Sequence, residues 1–166
     1  MRMEESCLVY DVDARGEEQK QIIFRNDSLV YQSLHLADGQ AENSAPCQAA
    51  RAFSVRGAAA CGLSSWSSGA LTLPPRGLKA AERVDDHTQL YWVTSCRPYS
   101  LELAIAKIPE GSDRPADAFD DATAQRYLLS PGDHFYVPPR NVYRLENHAP
   151  DADAQICWAI LNPPRP

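Results

Sequence analysis

Four histidines and five cysteines are the residues of this 166-residue chain best suited to holding a metal ion, and their spacing argues against that use. His35, His87, His134 and His148 lie far apart, the second and fourth in turn-like stretches, and no pair has the short interval at which imidazoles and thiolates share an ion. Cys7, Cys47, Cys61, Cys96 and Cys157 are odd in number and contain no Cys-x-x-Cys pair. They read as reduced thiols of an intracellular protein. Arg83 and Asp85, two positions apart, could bind a small anion or simply hold each other in solvent. Tyr143 offers a phenol, either as a ligand-pocket group or as a buried aromatic whose hydroxyl needs one partner.

The elements that must position these groups are strands. Thirteen prolines and repeated Asp, Gly and Ser clusters cut the chain into short segments that rarely hold a 3.6-residue period. Short apolar or alternating runs occupy residues 66–73, 88–94, 99–108, 126–129, 134–137, 142–147 and 154–161. Turn sequences separate them: Pro74-Pro75-Arg76-Gly77, Ser130-Pro131-Gly132-Asp133 and His148-Ala149-Pro150-Asp151. Evenly spaced short strands with that punctuation predict a sandwich or closed barrel over residues 61–162. Residues 109–124, polar and rich in Pro and Asp, read as an exposed acidic loop inserted between two strands.

Residues 1–60 read as an N-terminal extension. Runs at 21–24 and 29–36, separated by Arg25-Asn26-Asp27-Ser28, suit a hairpin. Residues 38–60 are rich in Ala, Gln, Ser and Gly and read as a loosely ordered connector, with room for a short helix around 48–53.

Charge narrows the partners. With 22 acidic and 16 basic residues the formal charge is −6, and no Lys/Arg run is present to release counterions from a phosphate backbone, so direct DNA binding is disfavoured. No stretch approaches the roughly 20 apolar residues that span a bilayer, and the acidic start, with Glu4, Glu5, Asp11 and Asp13, does not resemble a signal peptide. A soluble, cytosolic or nuclear protein is expected.

The segment from Gly132 to Asn147 resembles the second motif of the cupin barrels: Gly132, Pro138 and Asn147 fall in register, Arg140 stands in a glycine slot, and Tyr143 in the slot that supplies a histidine ligand to cupin enzymes. Laid on the chain from Gly77, the first cupin motif puts its three ligand slots on Arg83, Asp85 and Gln89 and its last glycine slot on Cys96. The resemblance thus implies four replaced ligands and a barrel with no metal and no cofactor.

Within the cupins, the chain more specifically resembles the C-terminal domain of the centromere protein CENP-C. The matching features are Ser68-Gly69 followed by alternating apolar residues, the turn from Pro74 through Gly77 to Lys79, the strand Tyr91-Trp92-Val93, and the stretch from Phe135 through Pro138, Asn141 and Tyr143 to Asn147. This resemblance covers about residues 65–161; Cys96 for Gly and the long 109–124 insertion depart from it. It implies an all-β cupin (double-stranded β-helix, or jelly-roll) barrel with an N-terminal β extension. It also implies a non-enzymatic module that forms a two-fold homodimer, recruits kinetochore or centromere proteins, and resides in the nucleus at the centromere. A metal-independent cupin enzyme of the epimerase or isomerase type, or a small-molecule-sensing barrel, is the alternative.

If Gln89 points inward, strand alternation sets Tyr91 and Val93 inside and leaves Leu90 and Trp92 outside. Residues 154–161 are apolar on both faces, which requires a cover outside the barrel. Leu90, Trp92, Ile156, Trp158 and Ile160 are accordingly expected to line a covered surface, with a second subunit or the N-terminal hairpin as the cover. The facing of residues 99–105 depends on the length of the turn at Cys96.

Overall fold

A computed structural model describes residues 5–35, 45–58, 61–107 and 119–163. They form twelve strands and one 3-10 turn, Asn26–Ser28. In chain order the strands are β1 (Ser6–Asp11), β2 (Gly16–Gln21), β3 (Gln32–Ser33), β4 (Gln48–Val55), β5 (Trp66–Leu73), β6 (Leu78–Val84), β7 (Thr88–Ser95), β8 (Leu101–Lys107), β9 (Gln125–Leu129), β10 (His134–Val137), β11 (Asn141–Asn147) and β12 (Ala154–Leu161).

Two antiparallel sheets form the body: a six-stranded sheet ordered β10-β7-β12-β5-β4-β3 and a four-stranded sheet ordered β6-β11-β8-β9. Their inner faces share one core. Leu71 and Leu73 of β5, Tyr91 and Val93 of β7 and Ile156 of β12 meet Leu101 and Leu103 of β8 and Tyr143 and Leu145 of β11. This is the all-β jelly-roll arrangement, in which consecutive strands alternate between sheets: β5, β7 and β12 in one, β6, β8 and β11 in the other.

Three expectations about the first half of the barrel are corrected. The N-terminal hairpin is β1–β2, residues 6–21, paired in full register from Ser6–Gln21 to Asp11–Gly16, and the stretch expected to form it carries only the 3-10 turn and β3. The expected connector contains β4, which hydrogen-bonds along most of β5, so there is no helix at 48–53. Leu78–Val84 is a strand where only a turn and a flanking segment were expected. Most of the expected 109–124 insertion lies outside the described residues; its end, residues 119–124, lies beside β9.

The turns owe their shape to a few residues. Asn147 is fully buried and bridges two loops: its Nδ2 donates to the carbonyls of Leu73, Pro74 and Ala152, and its Oδ1 accepts from Ala149 N–H. Gly77 N–H closes the preceding turn on Pro74 O at 2.8 Å. Asn141 Nδ2 donates to Pro138 O and Pro139 O and shapes the β10–β11 connection. Gly132 sits at φ +92° and Arg140 at φ +61°. Both φ values are positive, the region that strains L side chains and favours glycine, which accounts physically for a glycine slot at residue 140. Gly69 is required by contact: a Cβ there would lie 2.0 Å from Ala50 O and 2.4 Å from the Trp158 ring.

Candidate functional site

Inside the barrel, β6, β7 and β11 bring together a polar cluster in an otherwise apolar lumen. The β6–β11 pairing sets Glu82 opposite Tyr143, and strand alternation on β7 turns Gln89 and Tyr91 toward them. Lys79 Nζ lies 2.7 Å from Glu82 Oε2 and 4.4 Å from the centre of the Tyr143 ring. Gln89 Nε2 donates to Glu82 Oε1 at 2.6 Å, and Tyr91 O–H to Gln89 Oε1 at 2.6 Å. Tyr143 O–H is 3.1 Å from Glu82 Oε2, and the two phenol oxygens are themselves hydrogen-bonded. These three phenol contacts share two protons, so the pair acts as one unit. His87 Nε2 lies 3.0 Å from Gln89 Nε2 and accepts from it.

The electrostatics of this cluster suit holding charge better than moving protons. Burial raises the Glu82 carboxyl, but the charge and hydrogen bond of Lys79 and the bonds from Gln89 and Tyr143 outweigh it and set the net shift below the ordinary range. Both phenols are pushed up, first by burial, then Tyr91 by the Glu82 charge and Tyr143 by Tyr91 and Glu82. A carboxyl driven down and phenols driven up are all far from neutrality, where general acid–base groups work best.

A cavity of about 340 Å³ opens beside the cluster, lined on the apolar side by Leu71, Trp158 and Ile160, with Leu34 and Ala49 also on its wall. Its polar side is Lys79, Glu82, Gln89 and Tyr91. A divalent cation of the cupin type requires imidazoles and a carboxylate free to coordinate. Here the Glu82 carboxylate already holds the Lys79 ammonium, His87 is bonded to Gln89, and among the described residues the lumen brings no three His, Cys, Asp or Glu ligand atoms together, so the lumen residues do not fit such an ion.

Only half of the expected slot residues converge. Gln89 and Tyr143 meet in the lumen, both essentially fully buried. Arg83 and Asp85 do not join them: Arg83 pairs in register with Val142, on the face opposite Tyr143, and its Nε lies 2.5 Å from Asp85 Oδ1 in solvent. The reason is the end of β6 at Val84, which leaves Asp85 beyond the strand. The inward β6 residues are Lys79, Glu82 and Val84, and the two charged ones among them hid the alternation.

The expected covered surface also divides. Leu90 and Trp92 do face outward, and Tyr136, which pairs with Leu90, and Leu161 extend the same face. Tyr136 is 64 % exposed and Leu161 42 %. Trp92 meets the His134 ring edge-on at 6.1 Å. Ile156, Trp158 and Ile160 belong to the other face. Ile156 pairs with Leu71 and Val93 in the core at 1 % exposure, Trp158 packs over Gly69 and donates Nε1–H to Ala70 O at 3.1 Å, and Ile160 lines the cavity. The outward residues of β12 are Gln155, Cys157, Ala159 and Leu161. A second, shallower hollow of about 470 Å³ lies on this outer face, between Thr88, Leu90, Tyr136, Pro139 and Leu161.

Elsewhere, Glu102, Glu146 and His148 bring three ligand atoms within 4.8 Å of one another on the outside of the four-stranded sheet. Glu102 is opposite Glu146 across the β8–β11 pairing and is held by Arg126 as well as by His148. All five cysteines are free, and burial pushes the Cys47 thiol up to about 11, away from reactivity.

No protein-family model and no curated protein matches the sequence. Solved structures do. The cupin domain of Cnp3 from Schizosaccharomyces pombe superimposes with a TM-score of 0.61 at 13 % identity, covering 95 % of this chain and 85 % of that one. The CENP-C cupin domain of Drosophila melanogaster gives 0.54 at 12 % identity, covering 83 % and 76 %. A predicted oxalate decarboxylase from Thermotoga maritima gives 0.53 at 11 % identity, covering 85 % and 99 %. The chain therefore has the cupin fold, one shared by centromere-protein domains and by enzymes.

Proposed function

We propose that this chain is the homodimerisation and scaffold module of an inner-kinetochore centromere protein, without metal, cofactor or catalytic activity of its own. The observation that carries the reading is the outer face of the six-stranded sheet, where Leu90, Trp92, Tyr136 and Leu161 form an apolar surface around a hollow. Large exposed apolar patches of this kind mark association sites. The likeness to two centromere-protein cupin domains, and the sequence features shared with the CENP-C family, support the proposed setting, the nucleus at the centromere.

Size supports a two-fold pairing of modest strength. Strands β10, β7, β12 and β5, about 4.8 Å apart and up to eight residues long at about 3.3 Å each, present roughly 500 Å² of sheet. A standard interface takes about 800 Å² from each partner, so adjoining apolar residues must contribute. Trp66 continues the face beside Leu161 and leads through Phe53 to Phe24, with ring centres 5.2 and 5.0 Å apart. A two-fold pairing would set the same patch of each copy against the other and close as a dimer.

Dimerisation gives a chemically quiet barrel a purpose. It holds two copies of a longer protein together, so that weak binding segments act at high effective concentration and gain avidity without a new contact. The net acidic charge disfavours direct DNA binding by the barrel, and its partners are then itself and other kinetochore or centromere-recruitment proteins.

Light scattering on wild-type protein and on Trp92→Glu and Tyr136→Glu tests the reading. A wild-type dimer at micromolar concentration, reduced to folded monomer by either substitution, is expected. A wild-type chain that stays monomeric, or a stoichiometric metal in the purified protein, overturns it.

A further inference from the structure

The N-terminal hairpin stands apart from the sheets of the barrel. Among the described residues β1 and β2 pair only with each other, and neither joins a barrel strand. Its two ends are locked. At the base, Glu5 O accepts from the N–H groups of Ile22 and Ile23 at 2.9 and 3.0 Å, and the Glu5 carboxylate holds Arg25 at 3.2 Å. At the tip, Asp11 Oδ1 accepts from Ala14 N–H at 2.8 Å. The middle is open along one side. Glu5 and Ile22 are hydrogen-bonded, so the alternation of an antiparallel ladder bonds Cys7 to Lys20 and Val9 to Glu18. The same alternation turns the backbone N–H and C=O groups of Leu8 and Tyr10 away from β2, and among the described residues no backbone group meets them there.

A two-stranded hairpin alone is marginal in water, and a third strand is what stabilises such a ribbon. Its two edges differ. β2 is Gly-Glu-Glu-Gln-Lys-Gln, and charges of that kind blunt an edge. The middle of β1, Cys7-Leu8-Val9-Tyr10, has none. Leu8 and Tyr10 share one face and are 59 % and 66 % exposed, while the opposite face sets Asp11, Glu18 and Lys20 beside Cys7 and Val9.

We propose that the β1 edge is a docking site for an extended segment of a partner protein, one that alternates apolar and basic residues and adds as a third, antiparallel strand. The backbone groups of Leu8 and Tyr10 supply the ladder, and alternation supplies the selection. Apolar residues of the segment fall beside Leu8 and Tyr10, and the residues between them fall on the face of Asp11 and Glu18. Charge sets the sign. Residues 5–21 contain Glu5, Asp11, Asp13, Glu17 and Glu18 against Arg15 and Lys20. That imbalance also disfavours a second copy as the occupant, because antiparallel pairing of β1 with itself brings the Glu5 end of one strand against the Asp11 and Asp13 end of the other. The site is distinct from the outer face of the six-stranded sheet, so it can be tested separately from dimerisation.

Three synthetic peptides read the edge in the ¹⁵N-labelled full chain. One is acetyl-Lys-Val-Arg-Ile-Lys-Val-Arg-amide, and the second is its acidic counterpart, acetyl-Glu-Val-Asp-Ile-Glu-Val-Asp-amide. The third is the basic peptide N-methylated at its apolar residues, those set opposite Leu8 and Tyr10, which keeps the charge and removes the ladder donors. The basic peptide is expected to saturate at millimolar concentration or below and to slow hydrogen exchange at the amides of Leu8 and Tyr10. The acidic peptide is expected not to bind, and the N-methylated one to bind about tenfold more weakly or worse. Glu17→Lys with Glu18→Lys reverses the charge on β2 and leaves the β1 edge in place, and is expected to weaken the basic peptide by a similar factor. No saturation with the basic peptide, an acidic peptide that binds as well, or undiminished binding of the N-methylated peptide or by the charge-reversed chain overturns the proposal. So does protection of the Leu8 and Tyr10 amides that rises with protein concentration when no peptide is added, the mark of a second copy on the edge.

Discussion

The two faces of the six-stranded sheet solve opposite problems. On the inner face Gln89 and Tyr91 join Lys79, Glu82 and Tyr143 of the facing four-stranded sheet in one hydrogen-bonded cluster, with apolar neighbours packed against it. On the outer face Leu90, Trp92, Tyr136 and Leu161 are apolar and incompletely covered. A polar network bonded within itself adds rigidity and little reactivity, whereas exposed apolar area gains free energy only when something covers it. The inside of this barrel is thus occupied with holding itself together, and the outside is where association can be driven.

The sharpest way to break this contrast is to place the same charge on each side. Trp158→Glu puts a carboxylate against Gly69 and the cavity wall, removes the bond to Ala70 O, and is expected to destabilise by more than about 4 kcal/mol, enough to leave the chain largely unfolded in circular dichroism at 25 °C. Trp92→Glu is expected to leave the melting temperature of the isolated subunit nearly unchanged while weakening association at least a hundredfold, read by sedimentation. If the two substitutions have the same effect, the faces have been assigned wrongly.

Asn147→Ala leaves the carbonyls of Leu73, Pro74 and Ala152 and the amide of Ala149 to find new partners in a buried site, and is expected to cost about 3 kcal/mol in urea unfolding. The Glu82 carboxyl, on β6 of the four-stranded sheet, gives the lumen cluster a pH signature. A group held below its ordinary value in the fold binds fewer protons there than in the unfolded chain, so its contribution is complete above its ordinary value of 4.5 and is lost as the pH falls below it. Urea midpoints measured from pH 7 down to pH 3 are expected to fall over the acid end of that range. The fall should be shallower in Glu82→Gln. Arg140→Gly relieves a non-glycine residue at φ +61° and is expected to raise stability by about 0.5 kcal/mol after the added freedom of the unfolded chain is counted.

Much of the barrel was legible because its strands carry large apolar residues in alternation. β5, β7, β10 and β12 were readable to within a residue, and the outward facing of Leu90 and Trp92 followed from the inward facing of Gln89. The strands that escaped are those whose composition hides the period. β2 is Gly-Glu-Glu-Gln-Lys-Gln, polar on both faces; β4 is rich in alanine; β6 turns Lys79 and Glu82 inward, reversing the usual pattern. The same reversal concealed the lumen site, since Glu82 and Tyr91 gain meaning only when pairing sets them beside Tyr143. Which face of β12 looks outward depends on its register with both β5 and β7, and β12 is apolar enough on each side to fit either choice. The Glu102, Glu146 and His148 grouping is likewise a cross-strand product that no local spacing displays.

The claim at the centre of this account is that the outer sheet face joins two copies. Multi-angle light scattering across a micromolar concentration series tests it directly. The account predicts a mass of twice 18.4 kDa for the wild type and 18.4 kDa for folded Trp92→Glu. A wild-type mass that stays at 18.4 kDa throughout, or a dimer that Trp92→Glu leaves intact, would contradict it.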